Sequence, residues 1–177
     1  NLDFETTTSY SLSMTVSDGV NISSIETIRV NVNDINDETP VVRASQSFAI
    51  DETAVNDASV GTVLASDGDA GTTYSSWTIT GGNDDSIFTI NSTSGEITIA
   101  DNSNLDFETT TSYSLSMTVS DGVNTSSVET IRVNVSDIND EAPVITASQS
   151  FTIDETAVNG ASVGTVLVSD GDAGTTY

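Results

Sequence analysis

Apolar and polar residues alternate with a period of two along much of this chain. Tyr113-Ser-Leu115-Ser-Met117-Thr-Val119 is the clearest run, and Ile131-Arg-Val133-Asn-Val135 follows the same rule. Phe48-Ala-Ile50, Val60-Gly-Thr-Val63-Leu64, Phe88-Thr-Ile90, Ile97-Thr-Ile99 and the stretch from Tyr74 to Ile79 complete the set. A strand buried on one face alternates in this way because successive side chains point to opposite sides of the sheet. The runs are rich in Thr, Val and Ile, which suit a pleated surface. Turn-forming pairs separate them: Asp67-Gly68, Gly81-Gly82-Asn83, Ser94-Gly95 and Asp121-Gly122. No stretch carries a helical stripe. The pattern predicts an all-β, Greek-key antiparallel β-sandwich of the immunoglobulin-like kind, with about seven strands.

The chain is also internally repetitive. Residues 1–74 align without a gap on residues 104–177, and nearly every position is identical. Ile22 becomes Thr125, Ile25 becomes Val128 and Asp57 becomes Gly160. A period this long suits a whole sandwich domain and is too long for a solenoid unit. Pro40 and Pro143 punctuate the boundaries. The expected organisation is the C-terminal part of one repeat over 1–38, a complete repeat over 40–141, and the N-terminal part of the next over 143–177. The chain then reads as a window on a longer tandem array.

Charge changes the picture. Twenty-seven acidic residues face only three basic ones, for a net charge of -24. The basic residues are Arg29, Arg43 and Arg132, and there is no Lys, His or Cys. Such a surface repels nucleic acid and anionic membranes. Without Cys or Lys the fold has neither disulfide nor lysine–asparagine isopeptide staples. Without His, Cys or Lys it lacks the usual bases and nucleophiles, so it is not expected to be an enzyme. No run of about 18 apolar residues offers a membrane span.

The acids recur at strand ends with fixed spacing, in Leu2-Asp3-Phe4-Glu5, Asp18-Gly19, Asp34-Ile35-Asn36-Asp37-Glu38, Asp51-Glu52 and Asp67-Gly68-Asp69. Wherever the chain extends far enough, each has a copy one period later. Alternate spacing aims pairs of carboxylates at one point, and carboxylates at that density repel unless a cation joins them. Calcium, which takes six to eight oxygens in flexible geometry, fits better than magnesium. Zinc and copper are disfavoured without His or Cys. An acidic surface adapted to high salt is the plainer alternative, but solubility alone does not demand Asp-x-Asp spacing.

The order Ile-Asp-Glu52, Asp67-x-Asp69, Leu105-Asp-x-Glu108, Asp121-Gly and Asp137-x-Asn-Asp140-x-x-Pro143 resembles the cadherin repeat family. The tandem cadherin-like repeats of large bacterial surface and biofilm proteins are the nearest parallel. The resemblance covers the whole chain and implies about three Ca2+ ions at each junction between repeats. At the first junction it implies ligands from Asp3, Glu5, Asp34, Asn36, Asp37, Asp67, Asp69 and Asp121, with backbone carbonyls from Ile35 and Glu38. At the second it implies Glu52, Asp106, Glu108, Asp137, Asn139, Asp140, Asp170 and Asp172, with carbonyls from Ile138 and Glu141. Glu38 and Glu141 stand where animal cadherins usually have Asn, a change expected to alter affinity more than occupancy.

The functional expectation is a calcium-rigidified stalk or fibre of an extracellular, cell-surface or secreted matrix protein. The alternative is a direct calcium-dependent adhesion module, homophilic or carbohydrate-binding. Neighbouring repeats are the first partners, with homophilic or filament self-association next. Nucleic acid and membrane insertion are not expected. Trp77, inside a strand, is expected to pack in the core or make a surface contact. The sequons at Asn21, Asn91, Asn124 and Asn134 are the kind that arise by chance in a Ser/Thr/Asn-rich chain.

Overall fold

The computed structural model describes residues 2–172 and 174, and every regular element in it is a strand. In chain order these are β1 (Ser9–Met14), β2 (Glu26–Asn31), β3 (Val41–Val42), β4 (Ser47–Asp51), β5 (Ser59–Thr62), β6 (Ala65–Ser66), β7 (Ser75–Gly81), β8 (Phe88–Ile90), β9 (Glu96–Ile99), β10 (Ser112–Ser120), β11 (Glu129–Ser136), β12 (Val144–Ile145) and β13 (Val168–Ser169). The strands β3 to β11 build a β-sandwich. One layer is the four-stranded sheet β4-β11-β10-β7. The other is the three-stranded sheet β5-β9-β8 with the short β3-β6 pair.

The alternation predicted for β10 and β11 places their apolar residues between the layers. Leu115, Met117, Val119, Ile131 and Val133 are fully buried there. Val42, Val60, Val63, Phe88, Ile97 and Ile99 close on them from the opposite layer. Trp77 is 4% exposed, is part of this core, and meets Tyr74 edge to face at 6.1 Å. The outward residues of the same strands are Ser, Thr, Arg132 and Asn134, as the period-two rule requires.

Two features depart from a simple antiparallel reading. The run Val60 to Leu64 is not one strand: β5 ends at Thr62, with a register shift between Ser59 and Gly61, and β6 begins only at Ala65. A Cβ at Gly61 would collide with the Phe48 ring, so the bulge belongs to the packing of β4 over β5. The opening strand also divides. β3 pairs with β6 in one layer, then the chain crosses to the other through Ser45, whose φ is 61°. Having crossed, β4 lies parallel to β11, Ser47 opposite Arg132 and Asp51 opposite Ser136. Backbone groups freed by the crossover bond to Gln46. Its Nε2 donates to the carbonyls of Arg43 and Leu64, and its Oε1 accepts from the Leu64 amide. Gln149 repeats all three bonds one period later.

The flanking copies are sparser. β1 and β2 pair in the register of β10 and β11, Ser9 opposite Asn31 as Ser112 is opposite Asn134. Their apolar face has no second layer: Leu12 is 47% exposed where Leu115 is 0%. Among the described residues beyond Pro143 only β12 and β13 pair, and residues 150–154, the copy of β4, form no strand. A strand needs its neighbour, and the residues that follow hold no copy of β11 to supply one.

Candidate metal centres

The acids at the strand ends converge on two places, one at each end of the sandwich. At the first, Asp34 follows β2, while Asp67 and Asp69 follow β6 and Asp121 follows β10. Short turns hold each carboxylate. Asp121 Oδ1 accepts the amides of Val123 and Asn124 at 2.7 and 2.6 Å, and Asp67 Oδ1 accepts that of Asp69. The linker is fastened to the sandwich: Asp69 accepts the amides of Asp37 and Glu38, and Asp34 Oδ2 accepts that of Ala70 at 2.8 Å. Asn124 Nδ2 donates to the Glu38 carbonyl at 2.8 Å.

Three groups of carboxylates result: Glu5, Asp37 and Glu38; Glu5, Asp34 and Asp69; and Asp67, Asp69 and Asp121. Within each group one oxygen per residue lies within 4.8 Å of the others. Two oxygens bound to one calcium ion at roughly 2.3–2.6 Å are at most about 5 Å apart, so the spacing fits. Asp69 and Asp121 are 8% and 9% exposed. Asp34 Oδ1, Asp67 Oδ2 and Asp121 Oδ2 are buried with no hydrogen-bond partner. Buried carboxylate oxygens without a donor are costly. A hard divalent cation satisfies all of them at once. The donor set, all oxygen and strongly anionic, is one that calcium accepts.

The second end repeats the plan with a different first member. Glu52, 5% exposed, accepts the Phe107 amide at 2.7 Å and the Ile138 amide at 2.6 Å. It groups with Glu108 and Asp137, while Glu108, Asp140 and Asp172 form a second group. Asp172 accepts the amides of Asp140 and Glu141, as Asp69 does one period earlier.

The pKa directions record the crowding. The Glu5 carboxyl is held down by its own amide, but burial and the charges of Asp34, Asp69 and Asp37 outweigh this and push it up. Burial comes first in raising Asp69, against the Asp37 and Glu38 amides, which lower it. Burial also leads for Glu108, with Glu52 and Asp137 adding repulsion, and for Asp140, with Glu52 and Asp172.

Most of the residues named from the sequence meet here. Asp3 and Asp106 are in none of these groups: their carboxylates accept the amides and hydroxyls of Thr6 and Thr109, which lowers their pKa values. Asn36 lies beside a cleft shared with Asp34, Asp69 and Thr72. Asp170 accepts the Asp172 amide. Glu38 contributes more than its carbonyl, because its carboxylate joins a group. Asn124, read from the sequence as part of a sequon, binds the linker instead. Its position three residues after Asp121 is the only signal that could have found it.

Comparison with known proteins gives the same placement. A family profile described as the cadherin domain matches residues 46–136. Human Protocadherin Fat 1 is 38% identical over 98% of this chain, which spans 4% of that protein. Among solved structures, extracellular cadherin domains 3–6 of Protocadherin Gamma B2 superpose with a TM-score of 0.72 at 26% identity. That match covers 98% of this chain and 45% of the other. A structure described as the protocadherin gammaB7 EC3-6 cis-dimer gives 0.72 at 27%, covering 98% and 46%. The chain thus spans a small fraction of the curated relative and under half of each of these solved chains.

Proposed function

Since the chain belongs to the cadherin domain family, an adhesion family and not a class of enzymes, we propose that it is a stretch of a tandem array whose junctions calcium makes rigid. The array forms an extracellular stalk or fibre of a cell-surface or biofilm-matrix protein. In this reading residues 1–38 close one repeat, 40–141 are a whole repeat, and 143–177 open the next. Among the described residues no helix is long and apolar enough to cross a membrane.

The observation that carries the reading is the set of buried, unpartnered oxygens on Asp34, Asp67 and Asp121, contributed from both sides of one linker. Bound calcium would supply positive charge and six to eight coordination bonds. Glu5 and Asp34 would hold it from the preceding repeat. Asp37 and Glu38 would do so from the linker, and Asp67, Asp69 and Asp121 from the following repeat. At the second junction Glu52, Glu108, Asp137, Asp140 and Asp172 take these roles. About three ions per junction is the number the family resemblance implies. Without the cation these carboxylates repel one another and loosen the junction. Binding free energy therefore becomes junction stiffness and stability. Sites in extracellular modules bind at roughly 10⁻⁴–10⁻³ M.

Small-angle scattering of the chain in EGTA and then in millimolar calcium tests this. The particle should lengthen and stiffen with calcium, and Asp37→Ala with Asp140→Ala should abolish the change. An unchanged particle would sink the proposal. A second reading, adhesion between copies of the array, is favoured by the likeness to a protocadherin described as a cis-dimer. Calcium-dependent aggregation of coated beads is its measure.

A further inference from the structure

Gly68 and Gly171 sit in the middle of the two Asp-Gly-Asp loops, where an Asp-Gly pair ordinarily signals a tight turn. Neither has positive φ, unlike Gly71 and Gly122. The backbone at these two positions would therefore accept any residue, and a turn does not explain the glycine. The explanation lies above the loop. A Cβ at Gly68 would stand 2.9 Å from Glu38 Cγ and 3.5 Å from Glu5 Cγ. A Cβ at Gly171 would stand 3.1 Å from Glu108 Cγ and 3.2 Å from Glu141 Cγ. Two glutamate stems thus cross each glycine, one from the preceding repeat and one from the linker, and the arrangement recurs at both junctions.

Resting on the calcium reading above, we infer that Gly68 and Gly171 are positioning residues. The missing side chain gives Glu38 and Glu5, or Glu141 and Glu108, room to lie flat across the loop. Three of the four carboxylates then lie in cation groups, Glu5 and Glu38 with Asp37, and Glu108 with Asp140 and Asp172, while Glu141 is in none among the described residues. A methyl at Gly68 cannot displace the backbone cheaply, because the Asp69 carboxylate beside it holds the linker amides. It displaces the Glu38 stem instead, and with it the carboxylate.

The test is a double-mutant cycle in the whole chain. NMR amide shifts of residues 34–38 and 67–70 follow calcium at the first junction, and those of 137–141 follow the second. Gly68→Ala should weaken calcium about tenfold at the first junction, leave the second unchanged, and leave the melting temperature in EGTA unchanged. In a Glu38→Ala background the same change should cost under about twofold, since the clashing stem is gone. An equal cost in both backgrounds, or a fall in melting temperature without calcium, would show that Gly68 serves the loop itself and would overturn the inference alone. No calcium response in the parent chain would overturn the junction reading and this inference with it.

Discussion

Asp57 and Gly160 occupy the same place in successive repeats, and the sequence presents the change as minor. The structure gives it a cost. Asp57 has φ of 67° in a turn after β4, where its amide still bonds the Ile99 carbonyl at 2.8 Å. Gly160 has φ of 85°, and a Cβ there would meet nothing within 4 Å. The difference that the two angles show is one of backbone strain, which glycine escapes. Asp57→Gly should stabilise the sandwich by about 0.5–1 kcal/mol, read from urea unfolding in EGTA. A loss of stability would mean that the Asp57 side chain makes an interaction the strain argument omits. Single residues were the least legible part of the sequence. Gly68 looked like a turn residue and is placed by the stems above it. Asp3 is a ligand by resemblance, and its carboxylate also accepts the Thr6 amide and hydroxyl. For Gly68 the determining partners are side chains from other segments, which spacing along the chain does not encode.

At the scale of elements, alternation was the dependable guide. It located β4, β7, β8, β9, β10 and β11 and told which residues face inward, because the two-residue period is a property of the strand alone. It could not reveal the division of the first strand or the parallel pairing of β4 with β11. Those depend on a crossover at Ser45 and on a neighbour far away in sequence. The two copies separate these influences. Leu12 and Leu115 lie in identical strands with identical registers, yet one is 47% exposed and the other 0%. Leu115→Ala should cost about 2–5 kcal/mol, the usual toll of a cavity in a packed core. Leu12→Ala in this same chain should cost less than about 1 kcal/mol, because no second layer covers it. Denaturant midpoints of the two variants check this. Equal losses would show that the β1-β2 face is buried in solution.

For the molecule as a whole, the acids were legible because a cation site needs several carboxylates, and their spacing shows in the sequence. What spacing could not supply was which carboxylates are tied to the linker amides and which oxygens are left over. That division separates Asp69, bonded to Asp37 and Glu38, from the unpartnered oxygens of Asp34, Asp67 and Asp121. The parallel contact of β4 with β11 has a consequence of another kind. The chain enters the sandwich through β3, crosses at Ser45 to the start of β4 and leaves after the end of β11, and β4 and β11 are neighbours running the same way. Tension along an array therefore slides one strand past the other. The bonds between them, from Arg132–Gln46 to Glu52–Ser136, carry it together and do not open one at a time. Single-molecule pulling should find a high, narrow unfolding force for this repeat, and Ile50→Pro, which removes an amide on the side of β4 that faces β11, as the Glu52 amide two residues on does, should lower it. A low force in the parent chain would mean that β4 peels away first. A thread made of such units would resist drag by shear between two strands that each repeat carries within itself.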